Sequence, residues 1–177
     1  MNNKIIPLTG YLIFVITYVY QLFLNITHDA SHYPLIGSFV ILFGYFLLAN
    51  EYYSEIKEDD DIAMKSKKAF LGHLVLVLYH TASFIFPINP HVRLTDLTSL
   101  FGHILIIKKT EYSNYGYMLL TTYYLLYTTR LFRHHGNINM LQFIAAILLS
   151  YFYGKASVSF INEKLSKKKI ENDKKEH

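Results

Sequence analysis

Histidine is the one reactive side chain this sequence supplies generously, with nine copies against no cysteine. Without thiols there is no disulfide framework, no thiolate nucleophile, no iron–sulfur cluster and no Cys-ligated zinc. Metal, redox or proton chemistry therefore falls to imidazole and carboxylate. His28 and His32 are four residues apart, a spacing that turns two rings to one side of a helical turn, as metal ligands require. Asp29 lies between them, and Asp96, His134 and His135 are expected at the same membrane face. A zinc or two-metal site built from these groups is one chemical reading. The His28–His32 spacing also touches the first histidine box of membrane desaturases, but the further His-x-x-His-His clusters that such enzymes need do not occur. The plain alternative is interfacial histidines that hydrogen-bond head groups and loop backbone while their ring edges stay in apolar surroundings.

A second set lies inside apolar stretches. His73 and His80 are seven apart, two helical turns, so they share a face. His80 is the twelfth residue of a twenty-residue apolar run, a depth at which a polar ring is costly and turns toward the bundle interior. His103, on the next apolar segment, is its expected ionisable neighbour. Two histidines on different helices are able to ligate haem b from both sides, and Gly72 and Gly102 stand next to His73 and His103. The same pair, His80 and His103, also suits a proton relay in a small transporter. Hydrogen bonding between helices, through Thr81, Ser83 or a tyrosine, explains His80 with no chemistry at all.

The elements that must position these residues are helices in a membrane. The chain is 52% hydrophobic, its mean hydropathy is +0.21 and only 17% of its residues are charged, against about 25% in soluble domains. Six apolar segments stand out, at 5–24, 33–50, 69–88, 94–107, 115–132 and 138–153. The first is about the length a helix needs to cross roughly 30 Å of hydrocarbon. The first three have no polar face at helical spacing, unlike surface helices of soluble proteins. No ten-residue alternating pattern points to a barrel. The first segment is too long for the apolar part of a signal peptide, and no small-x-small cleavage site follows it. The expected fold is an all-α polytopic bundle of six transmembrane helices, residues 1–155, followed by a basic tail, residues 156–177.

With six crossings, lysine and arginine divide fourteen against three between the two sides, which puts both termini in the cytosol by the positive-inside rule. Lys174 and Lys175 then stand at the fourth and third positions from a cytosolic C-terminus. They resemble the dilysine signal by which coat proteins return membrane proteins to the endoplasmic reticulum. Asn25–Thr27 forms a glycosylation sequon on the opposite side, too close to the membrane to be used. Gly37 and Gly44, seven apart, mark a smooth seam for a neighbouring helix. Sixteen tyrosines with no tryptophan are expected to form the interfacial belt, with Tyr123, Tyr124 and Tyr127 facing helix partners. The acidic run at 55–61 has no glycine for a cation-binding turn and reads as a solvated loop. The tail lysines suit anionic lipid, and the net charge of +4 follows from topology rather than from nucleic-acid binding.

No Walker loop, nucleophile elbow or dinucleotide fingerprint is present. The leading functional expectation is therefore a non-enzymatic accessory subunit, receptor or scaffold of the endoplasmic reticulum membrane, in contact with lipid, other membrane subunits and, through its tail, coat protein. A haem b or metal enzyme built on His28, His32, His80, His103, His134 and His135 is the second class. A transporter with a histidine proton relay is the third.

Overall fold

Pro7 and Pro34 each occupy the third position of a helix, within the first turn, where a backbone N–H has no intrahelical acceptor and proline's fixed φ costs nothing. From such starts a computed structural model of the chain forms six α-helices: α1 (Ile5–Thr27), α2 (His32–Ile56), α3 (Ile62–Ile85), α4 (Arg93–Ile107), α5 (Ser113–Phe132) and α6 (Asn137–Asp173). The structure describes residues 4–28, 32–56, 62–86, 93–108, 112–132 and 137–173.

Among the described residues, four stretches are long and apolar enough to cross a membrane: Ile5–Thr27, Pro34–Ile56, Lys67–Ile85 and Met140–Ser159. The protein is thus an all-helical membrane protein. The apolar part of α4 is only Thr95–Ile107. The whole 15-residue helix is about 22 Å long at 1.5 Å per residue, short of the roughly 30 Å of hydrocarbon. α5 has the length, but threonine and tyrosine run through its middle. At the expected boundary between residues 155 and 156 the helix does not break, because α6 continues to Asp173.

Each helix touches its chain neighbours, and α1 closes against α6, giving a ring. Consecutive helices run antiparallel, as paired contacts at both ends show. Asn25 donates to Ser38 at 3.1 Å, while Lys4 pairs with Glu55 at 3.2 Å. Lys68 donates to Ser54 at 3.4 Å, while Gly37 faces Tyr79. Tyr127 donates to Gln142 at 3.2 Å, while Tyr117 stacks on Tyr153. Lys4, Glu55, Lys68 and Tyr153 thereby lie toward one end of the ring, and Asn25, Asp96, Arg130 and Gln142 toward the other.

Close approach depends on glycine at particular crossings. A methyl group added to Gly116 would lie 2.8 Å from the Gly102 carbonyl oxygen, so only glycine lets α4 and α5 meet there. At Gly44 and Gly72 the missing side chains admit Leu76 and Leu48 respectively, the reciprocal seam between α2 and α3. Gly37 is looser: an added methyl would meet only the Tyr79 ring, at 3.7 Å.

The outside of the ring is apolar, with Ile16, Phe23, Phe39, Phe101, Met140 and Val158 exposed. That is the surface a bilayer covers. Threonine and serine in the spans donate to carbonyls one turn back, as Thr81 does to Val77 at 2.7 Å and Ser157 to Tyr153 at 3.0 Å, so they present no unsatisfied hydroxyl to lipid. The inside is aromatic. Tyr11, Phe14, Tyr45, Tyr124 and Tyr153 are buried together. Tyr124 faces helix partners as expected, whereas Tyr11, Tyr45 and Tyr153, expected in the interfacial belt, are buried in the core; Tyr20, Tyr53, Tyr112 and Tyr115 are exposed. A tyrosine hydroxyl that finds another hydroxyl is as well placed inside as at the head groups, and Tyr11 and Tyr153 do bond to each other.

Candidate functional site

α3 carries His73, His80 and Ser83 at intervals of seven and three, and α4 carries Asp96, Ser99 and His103 at intervals of three and four. Both spacings keep a set on one helical face. Antiparallel packing of the two helices then brings the sets together as a polar seam. At one end, His73 Nδ1 and His103 Nδ1 are 2.7 Å apart, so one ring donates and the other accepts. At the other end, His80 Nδ1 lies 2.9 Å from Asp96 Oδ1, and the Ser83 hydroxyl donates to Asp96 Oδ2 at 3.0 Å. Between the two ends the His80 and His103 rings stack, with centroids 6.2 Å apart and an interplanar angle of 21°. His73, His80, Asp96, Ser99 and His103 are all buried, and the edges of Tyr79 and Tyr123 close around His80.

The proton positions follow from donor chemistry. With an ionised carboxylate, which only accepts, the His80 proton sits on Nδ1 and the neutral ring leaves a lone pair on Nε2. That nitrogen is buried without a hydrogen-bond partner among the described residues, and so are Ser99 Oγ and, in the aromatic core, Tyr124 Oη. Such orphaned atoms cost about 1–3 kcal/mol each and are rare enough in native structures to call for a functional reason.

Two cavities reach the ends of the seam. The larger, of about 880 Å³, takes residues from all six helices, among them Gln21, Ser38, His80, Asp96, Tyr123 and Gln142. It lies toward the Asn25 end of the ring. The smaller, of about 350 Å³, lies toward the Lys4 end, where Glu51, Tyr52, Phe70, His73, Ser113 and Tyr117 line it. His80 and Asp96 thus face one cavity and His73 the other, with the His103 ring between them.

The expected site residues fare unequally. His103 does lie beside His80, but as a stacked ring; the hydrogen-bond partner of His80 is Asp96, and that of His103 is His73. Asp96 lies toward the same end of the ring as Asn25 and His28, with its carboxylate buried in the α3–α4 interface against His80 and Ser83. His28 is exposed at the end of α1, where its backbone N–H donates to Leu24. His32 begins α2, and its side chain, like His134, His135, Lys174, Lys175 and residues 57–61, lies outside the described residues. Among the described residues no group of three or more His, Asp or Glu is placed to hold a metal ion. Sequence reading missed the role of Asp96 and the direct His73–His103 bond. Their signal was available as matching three-, four- and seven-residue polar spacings on two consecutive apolar segments. Compared with protein-family models, with curated proteins and with solved structures, the chain gives no match.

Proposed function

We propose that the chain crosses the membrane six times with both termini cytosolic, and that the α3–α4 seam passes protons between its two cavities, as in a small proton-linked transporter. The observation that carries this reading is the end-to-end order of His73–His103 and His80–Asp96 bonds between cavities at opposite ends of the ring. A neutral imidazole takes a proton on one nitrogen and releases it from the other, and ionisable residues inside a membrane mark such pathways. The line is broken once, at the stacked His80–His103 rings. A ring rotation or one bridging water there is the natural gate. Retention in the endoplasmic reticulum through Lys174 and Lys175 is the corresponding proposal for the tail.

The haem alternative fits this geometry less well. Iron between two imidazoles keeps their nitrogens on opposite faces of a porphyrin, whereas the His73 and His103 nitrogens are in direct contact. The room beside Gly72 and Gly102 is filled by Leu48 and Leu120. An accessory subunit, receptor or scaffold uses the closed ring and its apolar exterior but has no need of a buried His–Asp pair facing a cavity. The test is proton uptake by liposomes containing the purified protein, driven by a potassium diffusion potential and read with an entrapped pH dye. Uptake above protein-free liposomes is expected, and His103→Gln should cut it about 100-fold, the scale of losing one positioned proton-transfer group. Uptake no faster than through bare lipid sinks the reading.

A further inference from the structure

The larger cavity is not confined to the ring interior. Its lining includes Ile36 of α2 and Leu78 of α3, each 60% exposed, and Phe86 just past α3, 62% exposed. The same cavity reaches His80, which is 2% exposed. It therefore opens sideways, between α2 and α3, onto the surface that lipid covers. Gly37 lies on this path and leaves it wide, since the nearest atom across it belongs to the Tyr79 ring. The outer part of the path is hydrocarbon: Ile36, Val40, Leu78 and Phe86. The inner part offers hydrogen bonds, from the unpartnered His80 Nε2, Tyr123, Tyr127 and Gln142, and the exposed Arg130 adds one cation to the lining. Asp96, the acidic residue in the lining, is already engaged by His80 and Ser83.

An apolar channel leading to a polar floor, where Arg130 is the one cation and Asp96 is already engaged, selects an amphiphile by polarity and by shape. The volume of about 880 Å³ falls within the roughly 300–1,000 Å³ of small-molecule sites. We propose that this cavity binds a single-chain amphiphile with a carboxylate head, which reaches it from the bilayer between α2 and α3. The head lies toward His80 and Arg130, and the chain lies along Ile36 and Leu78. The acid form arrives neutral. Its O–H bond breaks as His80 Nε2 gains the proton, leaving a carboxylate beside Arg130 and an imidazolium held by Asp96. This inference rests on the proton-handling reading, because His80 serves both.

The test uses a diazirine-labelled palmitate analogue with the protein in liposomes. Saturable labelling of α2 and α3 peptides is expected, competed by oleate but not by oleyl alcohol or acetate. Arg130→Gln should weaken it about tenfold, the loss of one charge-assisted contact. Gly37→Leu, which has room for its first carbon, should also reduce labelling by obstructing the opening. Labelling that does not saturate, or that oleyl alcohol competes as well as oleate does, overturns the proposal. Proton uptake measured in the same liposomes separates the two readings. Uptake without saturable labelling rejects this inference alone, and saturable labelling without uptake rejects the relay alone.

Discussion

Tyrosine hydroxyls in the core between α1, α2, α5 and α6 and imidazoles in the α3–α4 seam are equally buried, yet the two regions treat their polar atoms differently. In the core, rings stack on rings, Phe14 on Tyr45 at 4.8 Å and Tyr124 on Tyr153 at 5.9 Å. Tyr11 and Tyr153 bond to each other, and Tyr127 bonds to Gln142. These bonds and stacked rings fix one packing. In the seam, the groups are imidazoles and a carboxylate, side chains whose ring nitrogens and oxygens can take up and release a proton. One of their nitrogens is left without a partner among the described residues, as is the Tyr124 hydroxyl of the core, and a cavity stands at each end of the seam. The contrast teaches that burial of a polar group here serves two ends: the core holds the ring shut, and the seam leaves a path through it.

Substitutions should separate the two. The largest effect is expected from Asp96→Ala. It leaves the His80 Nδ1–H and the Ser83 hydroxyl without their acceptor, and each stranded buried donor costs about 1–3 kcal/mol. The variant should unfold at clearly lower temperature in detergent and carry no proton uptake. Asp96→Asn sharpens the point, since its side-chain oxygen still accepts from His80 while the charge is gone. Most of the stability should return and the uptake should not. A smaller effect is expected in the core. Tyr153→Phe strands the Tyr11 hydroxyl and should cost about 1–3 kcal/mol, measured by the same melting assay.

Much of this architecture is legible in the sequence, and the part that is not has identifiable causes. The apolar runs at 5–24 and 33–50 locate α1 and α2, because helices with no polar face belong in lipid. The helices run past the apolar runs: α2 continues to Ile56 and α6 to Asp173, since a helix leaving the membrane keeps its backbone bonds while its side chains turn polar. His73 and His80 could be placed on one face from spacing alone. Asp96 could not be placed, because a carboxylate at the head of a short segment reads as a membrane-surface residue until the facing helix supplies His80. The core tyrosines were misjudged for a related reason: composition cannot show that Tyr11 and Tyr153, 142 residues apart, meet.

The most direct test sets one variant from each region side by side in the same liposomes, with proton uptake normalised to correctly inserted protein. His80→Gln keeps a hydrogen-bonding side chain but cannot carry a proton at neutral pH, whereas Tyr153→Phe leaves every member of the seam in place. The account predicts that His80→Gln inserts normally and loses uptake, while Tyr153→Phe is less stable and retains it. Equal uptake in both variants and in the unaltered protein would contradict the claim that the α3–α4 seam conducts protons.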